Sequence, residues 1–103
     1  MSQNPFYLCS NLENIITNST NTYYTAIDGV LYDYNQTILI SCPRTKTSIN
    51  LPNTITTFYD YSCYNTALTS ITLPASITTL GNNNYGNNSL TTITCYATTP
   101  PTV

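Results

Sequence analysis

The sequence predicts a mostly β fold: a short repeat solenoid of about 3–4 coils, with a β-hairpin/meander insert in the first coil. Three observations predict it. The stretch 47–68, TSINLPNTITTFYDYSCYNTAL, recurs in 69–90 as TSITLPASITTLGNNNYGNNSL, with ten of 22 positions identical and no gap. A third copy opens at once as TTITCY in 91–96. Apolar residues keep one register through the copies: Ile49/Ile71/Ile93, Leu51/Leu73/Cys95, Ile55/Ile77, Phe58/Leu80 and Leu68/Leu90. Between them lie short β-branched stretches cut by Pro and by Asn/Gly turns, with no long helical pattern.

The elements read in chain order as one domain, 1–103. Residues 4–17 form a first partial coil, in which Leu12-Glu-Asn-Ile15 matches Leu68-Thr-Ser-Ile71 and Leu90-Thr-Thr-Ile93. The step from Ile15 to Ile49 is longer than the repeat, so residues 18–46 hold an insert. Within it, Tyr24-Thr-Ala-Ile27 and Val30-Leu31-Tyr32 flank Asp28-Gly29, a pair suited to the positive φ angles of a type I′ hairpin turn. Asp33-Tyr-Asn35-Gln36 is a second turn, and Thr37-Ile-Leu-Ile-Ser41 a third strand stopped by Pro43. The insert is thus a three-strand meander.

The coils 47–68 and 69–90, and the terminal partial coil 91–103, follow. In each, an alternating strand such as Ile71-Thr-Leu73 points apolar groups one way and Ser70/Thr72 the other. Pro52 and Pro74 end that strand, because Pro cannot donate the next ladder bond. Ile55-Thr-Thr-Phe58 and Ile77-Thr-Thr-Leu80 return along the back, extended or in a short 3₁₀ turn. Gly81–Asn88 is a low-complexity turn.

These residues resemble the BspA-like leucine-rich repeats, a surface-protein type with repeats of about 22–23 residues. Phe6-Tyr-Leu-Cys9-Ser-Asn-Leu12-Glu-Asn-Ile15 resembles the family's "AF..C..L..I" passage. Ile27-Asp-Gly-Val-Leu-Tyr32 through Leu39-Ile-Ser-Cys-Pro43 resembles its "DGVLY…LI.(C)P" insert. Leu51-Pro-Asn-Thr-Ile55 and Leu73-Pro-Ala-Ser-Ile77 resemble its "(I/L)P..(V/I)T.I" passage. The match covers most of the chain, and the motifs are specific in combination. Ser62-Cys63 and Asn84-Tyr85 replace the family's Ala-Phe pair, and Lys46 replaces a leading Leu; these departures bear on the packing of the back and lower edge. The resemblance implies a leucine-rich-repeat solenoid at an extracellular or cell-surface location, adhesion, and partners that are a protein or glycan on a cell or matrix surface. It carries over no catalytic residue and no cofactor.

Composition narrows the function further. Charged residues make up 6% of the 103-residue chain and the net charge is -2, whereas about 25% charged is usual. Polarity comes from 21 Thr, 14 Asn and ten Tyr. Without a basic patch to neutralise phosphates, nucleic acid is not an expected partner. No apolar run approaches the roughly 20 residues of a membrane span. The start, MSQNPFYLCSNLEN, lacks the basic and long apolar regions of a secretory signal.

Catalysis is not expected. The chain has no His, its carboxylates are Glu13, Asp28, Asp33 and Asp60, and its cations are Arg44 and Lys46. Asp28 and Asp33 fall in turns, where Asp is common for backbone reasons. No phosphate loop, Ser–His pair or calcium-loop spacing is present. Cys9, Cys42, Cys63 and Cys95 include no CxxC pair, so no metal site is expected. Cys63 and Cys95 occupy apolar places and read as small buried hydrophobes. A Cys9–Cys42 disulfide between the first coil and its insert is the alternative use of the remaining thiols. Asn18, Asn35 and Asn87 head N-x-Ser/Thr sequences and are candidate glycosylation sites.

The candidate binding residues are the outward strand positions, which stacking arranges in columns: Thr47/Thr69/Thr91, Ser48/Ser70/Thr92 and Asn50/Thr72/Thr94. Thr56/Thr78 and Thr57/Thr79 form similar columns on the back. Thr suits strands, and its hydroxyls can pair across rungs. The same hydroxyls could instead contact a protein or glycan, with insert tyrosines such as Tyr23, Tyr24, Tyr32 and Tyr34 as stacking platforms. Two functions follow: a non-enzymatic surface-type domain for protein or matrix binding, or a structural subunit that self-assembles end to end into an extracellular filament through uncapped solenoid ends.

Overall fold

The computed structural model describes residues 3–6, 9, 11–64, 66–82 and 90–102. Its order begins in the meander. Strands β1 (Tyr24–Ile27), β2 (Val30–Asp33) and β3 (Ile38–Ser41) pair antiparallel in sequence order. Asp28 and Gly29 adopt φ of 51° and 80°, the two positive angles that a type I′ turn needs. A Cβ at Gly29 would meet the end of the Asn14 side chain, which can swing aside, so the positive φ is what calls for glycine; the Ile15 N–H donates to the Gly29 carbonyl at 3.2 Å. At the second turn the Asp33 carboxylate accepts from the Thr37 N–H (2.6 Å), the Ile38 N–H (2.8 Å) and the Thr37 hydroxyl (2.6 Å). Asp33 is therefore a turn-forming residue.

β3 also starts the back of the molecule. It pairs parallel with β4 (Thr57–Phe58), Ile38 opposite Thr57 and Leu39 opposite Phe58. Parallel bridges then join Thr57 to Thr79 and Thr79 to Thr102. The back is extended, and its steps are uneven: 19 residues, then 22, then 23. A turn leads into the back twice, as the Ile55 and Ile77 N–H groups donate to the Pro52 and Pro74 carbonyls, both at 3.2 Å. On the front, β5 (Ser70–Leu73) and β6 (Thr92–Cys95) pair parallel with a constant step of 22 residues. The Thr69 N–H donates to the Thr47 carbonyl (3.1 Å) and the Thr91 N–H to the Thr69 carbonyl (2.9 Å), keeping that step.

The sheets are a four-stranded one, β1-β2-β3-β4, and a two-stranded one, β5-β6. Among the described residues, no closed or solenoid sheet winds through the expected 3–4 coils. The front strand expected at Thr47–Leu51 does not form. Asn50 stands where the later copies carry Thr72 and Thr94, and Asn is depleted in strands.

The core is a cluster of Val30, Tyr32, Leu39, Cys42, Ile55, Phe58, Cys63, Leu68, Ile71, Leu73 and Ile77. Ile71 and Ile93 are register partners, and Ile49 packs against the same cluster. Three expectations change. Cys95 is exposed although it pairs with buried Leu73, and Ile93 is 50% exposed against 2% for Ile71. Among the described residues β6 has no layer beyond it, so inward side chains meet solvent. Tyr32, a candidate platform, is instead 1% exposed, and burial pushes its hydroxyl pKa up. Cys63 is fully buried as expected.

Candidate functional site

The candidate face is built from the outward positions of β5, β6 and the segment before them. All nine residues, Thr47, Ser48, Asn50, Thr69, Ser70, Thr72, Thr91, Thr92 and Thr94, are exposed. Register places Ser70 beside Thr92 and Thr72 beside Thr94, with strand neighbours about 4.8 Å apart. The backbone bonds from Thr69 to Thr47 and from Thr91 to Thr69 align the remaining column. The side chains of Ser48, Asn50, Ser70, Thr72, Thr92 and Thr94 make no hydrogen bond among the described residues. Only Thr91 uses its hydroxyl internally, donating to the Thr69 carbonyl at 3.1 Å.

The back differs. The Thr56 hydroxyl donates to the Thr37 carbonyl (3.3 Å), Thr78 to Thr56 (3.1 Å) and Thr102 to Thr78 (3.4 Å). Ser76 Oγ lies 2.8 Å from the Asn53 carbonyl oxygen and 2.6 Å from that of Ile55. One residue type thus serves two ends. The Thr56, Thr78 and Thr102 hydroxyls fasten successive passes of the chain, whereas Thr57 meets only the Thr56 hydroxyl (3.2 Å) and most front hydroxyls remain available to solvent.

Two depressions flank the face. One, about 560 Å³, is lined by residues that include Ser48, Asn50, Asp28, Lys46 and 14–17. It places two of the chain's six charged residues beside the hydroxyl columns. The other, about 280 Å³, lies among Asn50, Asn53, Thr72, Pro74 and Tyr96. Tyr96, 65% exposed, was not singled out from the sequence. The signal was available: Tyr96 sits at the repeat position of Pro52 and Pro74. Unlike proline it keeps an N–H, which donates to the Leu73 carbonyl at 3.0 Å. The exposed meander tyrosines Tyr23, Tyr24 and Tyr34 do not line either depression. Tyr24 instead joins Phe6, Leu31, Ile40 and Tyr59 around an apolar cleft of about 550 Å³.

The other candidates are placed as follows. Asn18 and Asn35 are exposed, and the Asn18 amide oxygen accepts from the Thr20 N–H (2.9 Å) and hydroxyl (2.8 Å). Asn87 lies outside the described residues. Cys9 is an exposed free thiol and Cys42 a buried one, whose Sγ donates to the Pro43 carbonyl at 3.7 Å. Among the described residues no group of three or more His, Cys, Asp or Glu is arranged to hold a metal ion. No helix among them is long and apolar enough to cross a membrane.

Comparison with known proteins gives these features a family. Two solved structures share the fold. One is the pneumococcal vaccine antigen PcpA, with a TM-score of 0.74 and 22% identity over 79% of this chain and 21% of that one. The other is a leucine-rich repeat protein from Eubacterium ventriosum, with a TM-score of 0.66 and 28% identity over 94% of this chain and 33% of that one. This chain therefore spans about a fifth to a third of the length of those it matches. No curated protein matches the sequence. A family model described as a BspA type leucine rich repeat region (6 copies) matches residues 40–100. The chain belongs to the BspA-type leucine-rich repeat family.

Proposed function

We propose that this chain is a non-enzymatic, surface-type binding domain of an extracellular or cell-surface protein. Its front hydroxyl and amide columns contact a protein or glycan. The observation that carries this reading is the asymmetry between the two Thr-rich sides. On the back, the Thr56, Thr78 and Thr102 hydroxyls are bonded to carbonyls of the preceding pass. Those of Ser48, Ser70, Thr72, Thr92 and Thr94 have no internal partner among the described residues. A strand needs Thr for propensity on either side, so propensity alone does not account for the difference. Tyr96 and the Asp28/Lys46 depression add an aromatic surface and charge at the margins, features enriched where proteins dock.

Binding to a glycan array and to immobilised collagen, fibronectin and laminin tests this reading. Thr72→Lys/Thr94→Lys should weaken the strongest interaction by about tenfold or more, or ~1.4 kcal/mol, and Thr78→Lys on the back should leave it intact. Equal losses from both variants, or no ligand in either panel, would count against the proposal.

A second reading, end-to-end assembly into a filament, is favoured by β6. All four of its residues are exposed and its outer edge is unpaired among the described residues. Another 22-residue repeat or a second copy could pair there. Size-exclusion chromatography with negative-stain microscopy separates the readings. A monomer that survives dilution excludes the filament, and long regular fibres support it.

A further inference from the structure

We propose that Cys42 and Cys63 are a buried dithiol that closes into a disulfide, covalently joining the exit of the meander to the following coil. The Cys42 N–H donates to the Ser62 carbonyl at 2.8 Å, which brings the backbone at Cys42 against the 61–64 turn that carries Cys63. A disulfide spans a Cα separation of ~4.4–6.8 Å, and this hydrogen bond to Ser62, one residue from Cys63, is the close backbone approach that such a span needs. Both side chains face the interior, 5% and 0% exposed, and belong to one core cluster. A hydrogen bond between the two thiols, reinforced by burial, holds the Cys63 pKa well above its ordinary value. Cys9 and Cys95, by contrast, are exposed.

The burial determines when the bond forms. Thiolate is the attacking species, and in the folded core it is scarce, so the exchange belongs to folding, before the cluster closes. One protein thiolate attacks a small disulfide of the oxidised-glutathione class. A mixed disulfide forms and one small thiol leaves. The second protein thiolate then attacks the protein-bound sulfur, and a second small thiol leaves. The two protein thiols lose two electrons and two protons, and the small disulfide gains them. Once the core packs, the bond is shielded from reductant.

The sequence supplies a clean assay. Arg44 and Lys46, the only basic residues, lie between the two cysteines. Trypsin therefore leaves Cys42 with the N-terminal fragment and Cys63 with the C-terminal one. A Cys9→Ser/Cys95→Ser chain is refolded across glutathione redox buffers, alkylated, digested without reduction and weighed. We expect one joined species, lighter than the two fragments by two hydrogens, that separates on reduction. The joined-to-separate ratio should rise roughly tenfold per tenfold rise in [GSSG]/[GSH]². Wild-type chain mapped the same way should contain the same linked peptide. Two fragments with both thiols alkylated at every ratio, while circular dichroism reports a folded chain, would overturn the proposal. So would a wild-type Cys9–Cys42 linkage.

Discussion

Replacing Thr by its near-isostere Val removes the hydroxyl and little else, which makes the contrast between the two sides of the molecule measurable. In Thr56→Val/Thr78→Val, two bonds between passes are lost, at 3.3 Å to Thr37 and 3.1 Å to Thr56. The acceptors are not orphaned. The Thr37 carbonyl keeps the N–H groups of Thr56 (2.8 Å) and Thr57 (3.2 Å), and the Thr56 carbonyl keeps those of Thr78 (2.8 Å) and Thr79 (3.0 Å). Each loss therefore falls at the lower part of the usual net range of about 0.5–1.5 kcal/mol. The double variant should lose about 1–2 kcal/mol, with some coupling because the sites adjoin. In Thr72→Val/Thr94→Val no internal bond is lost, and Val is at least as good a strand residue as Thr. Stability there should stay within about 0.5 kcal/mol of wild type. Urea unfolding followed by circular dichroism reads both, with unchanged m-values confirming a change in stability alone. If the front pair costs as much as the back pair, the assignment of bonded and available hydroxyls is wrong, and the binding proposal falls with it.

Other consequences can be checked the same way. Phe58→Ala empties a fully buried position opposite Leu39 and should cost about 3–5 kcal/mol; Ile93→Ala, at a half-exposed position, should cost roughly 1 kcal/mol or less, and equal losses would contradict the open end at β6. Ser41→Ala removes a buried hydroxyl that has no partner among the described residues; because such a group costs about 1–3 kcal/mol, the urea midpoint should rise. Under reducing conditions, stability should fall as pH rises above 9.0, the ordinary value for the Cys63 thiol. The unfolded thiol ionises first, so the unfolded state binds fewer protons, and the slope approaches about -1.4 kcal/mol per pH unit. Tyr32, also raised by burial, adds to the fall above 10.0. Cys63→Ala should abolish the part of the slope between those two values.

Local chemistry was the most legible part of the chain. Asp28-Gly29 announced a type I′ turn because few other pairs accept two positive φ angles, and the meander strands lie where the turn residues and Pro43 placed them. The 22-residue step reappears in the β5–β6 register because identical residues at identical spacing satisfy the same ladder. The outward hydroxyl columns followed from the two-residue period of a strand. Layering was harder to read. Ile93 and Cys95 align with buried Ile71 and Leu73, but alignment identifies a side of the strand and not whether another layer covers it. Cys42 and Cys63 were not paired from the sequence because they stand 21 residues apart, one short of the repeat, at a place where the insert interrupts the period. Tyr96 was hidden because aligning it with Pro52 and Pro74 suggests a lost break and gives no hint of an aromatic facing solvent. The missing strand at 47–51 falls where Asn50 replaces the Thr of the later copies and where no strand forms in 11–17 to pair with it.

The unequal steps along the back, set against the even step along the front, bear on how such a chain can diversify. Where both sides can be followed, the front steps by 22 and 22 and the back by 22 and 23, so the extra residue lies in the stretch between Thr91 and Thr102 and the front ladder is untouched by it. Duplication of a copy with an indel in its turn would thus leave the exposed columns aligned. Side chains on that surface can then drift one position at a time, each substitution changing what is recognised without forcing the interior to be rebuilt. Segments that fasten the molecule and segments that meet its surroundings are in this way free to evolve at separate rates.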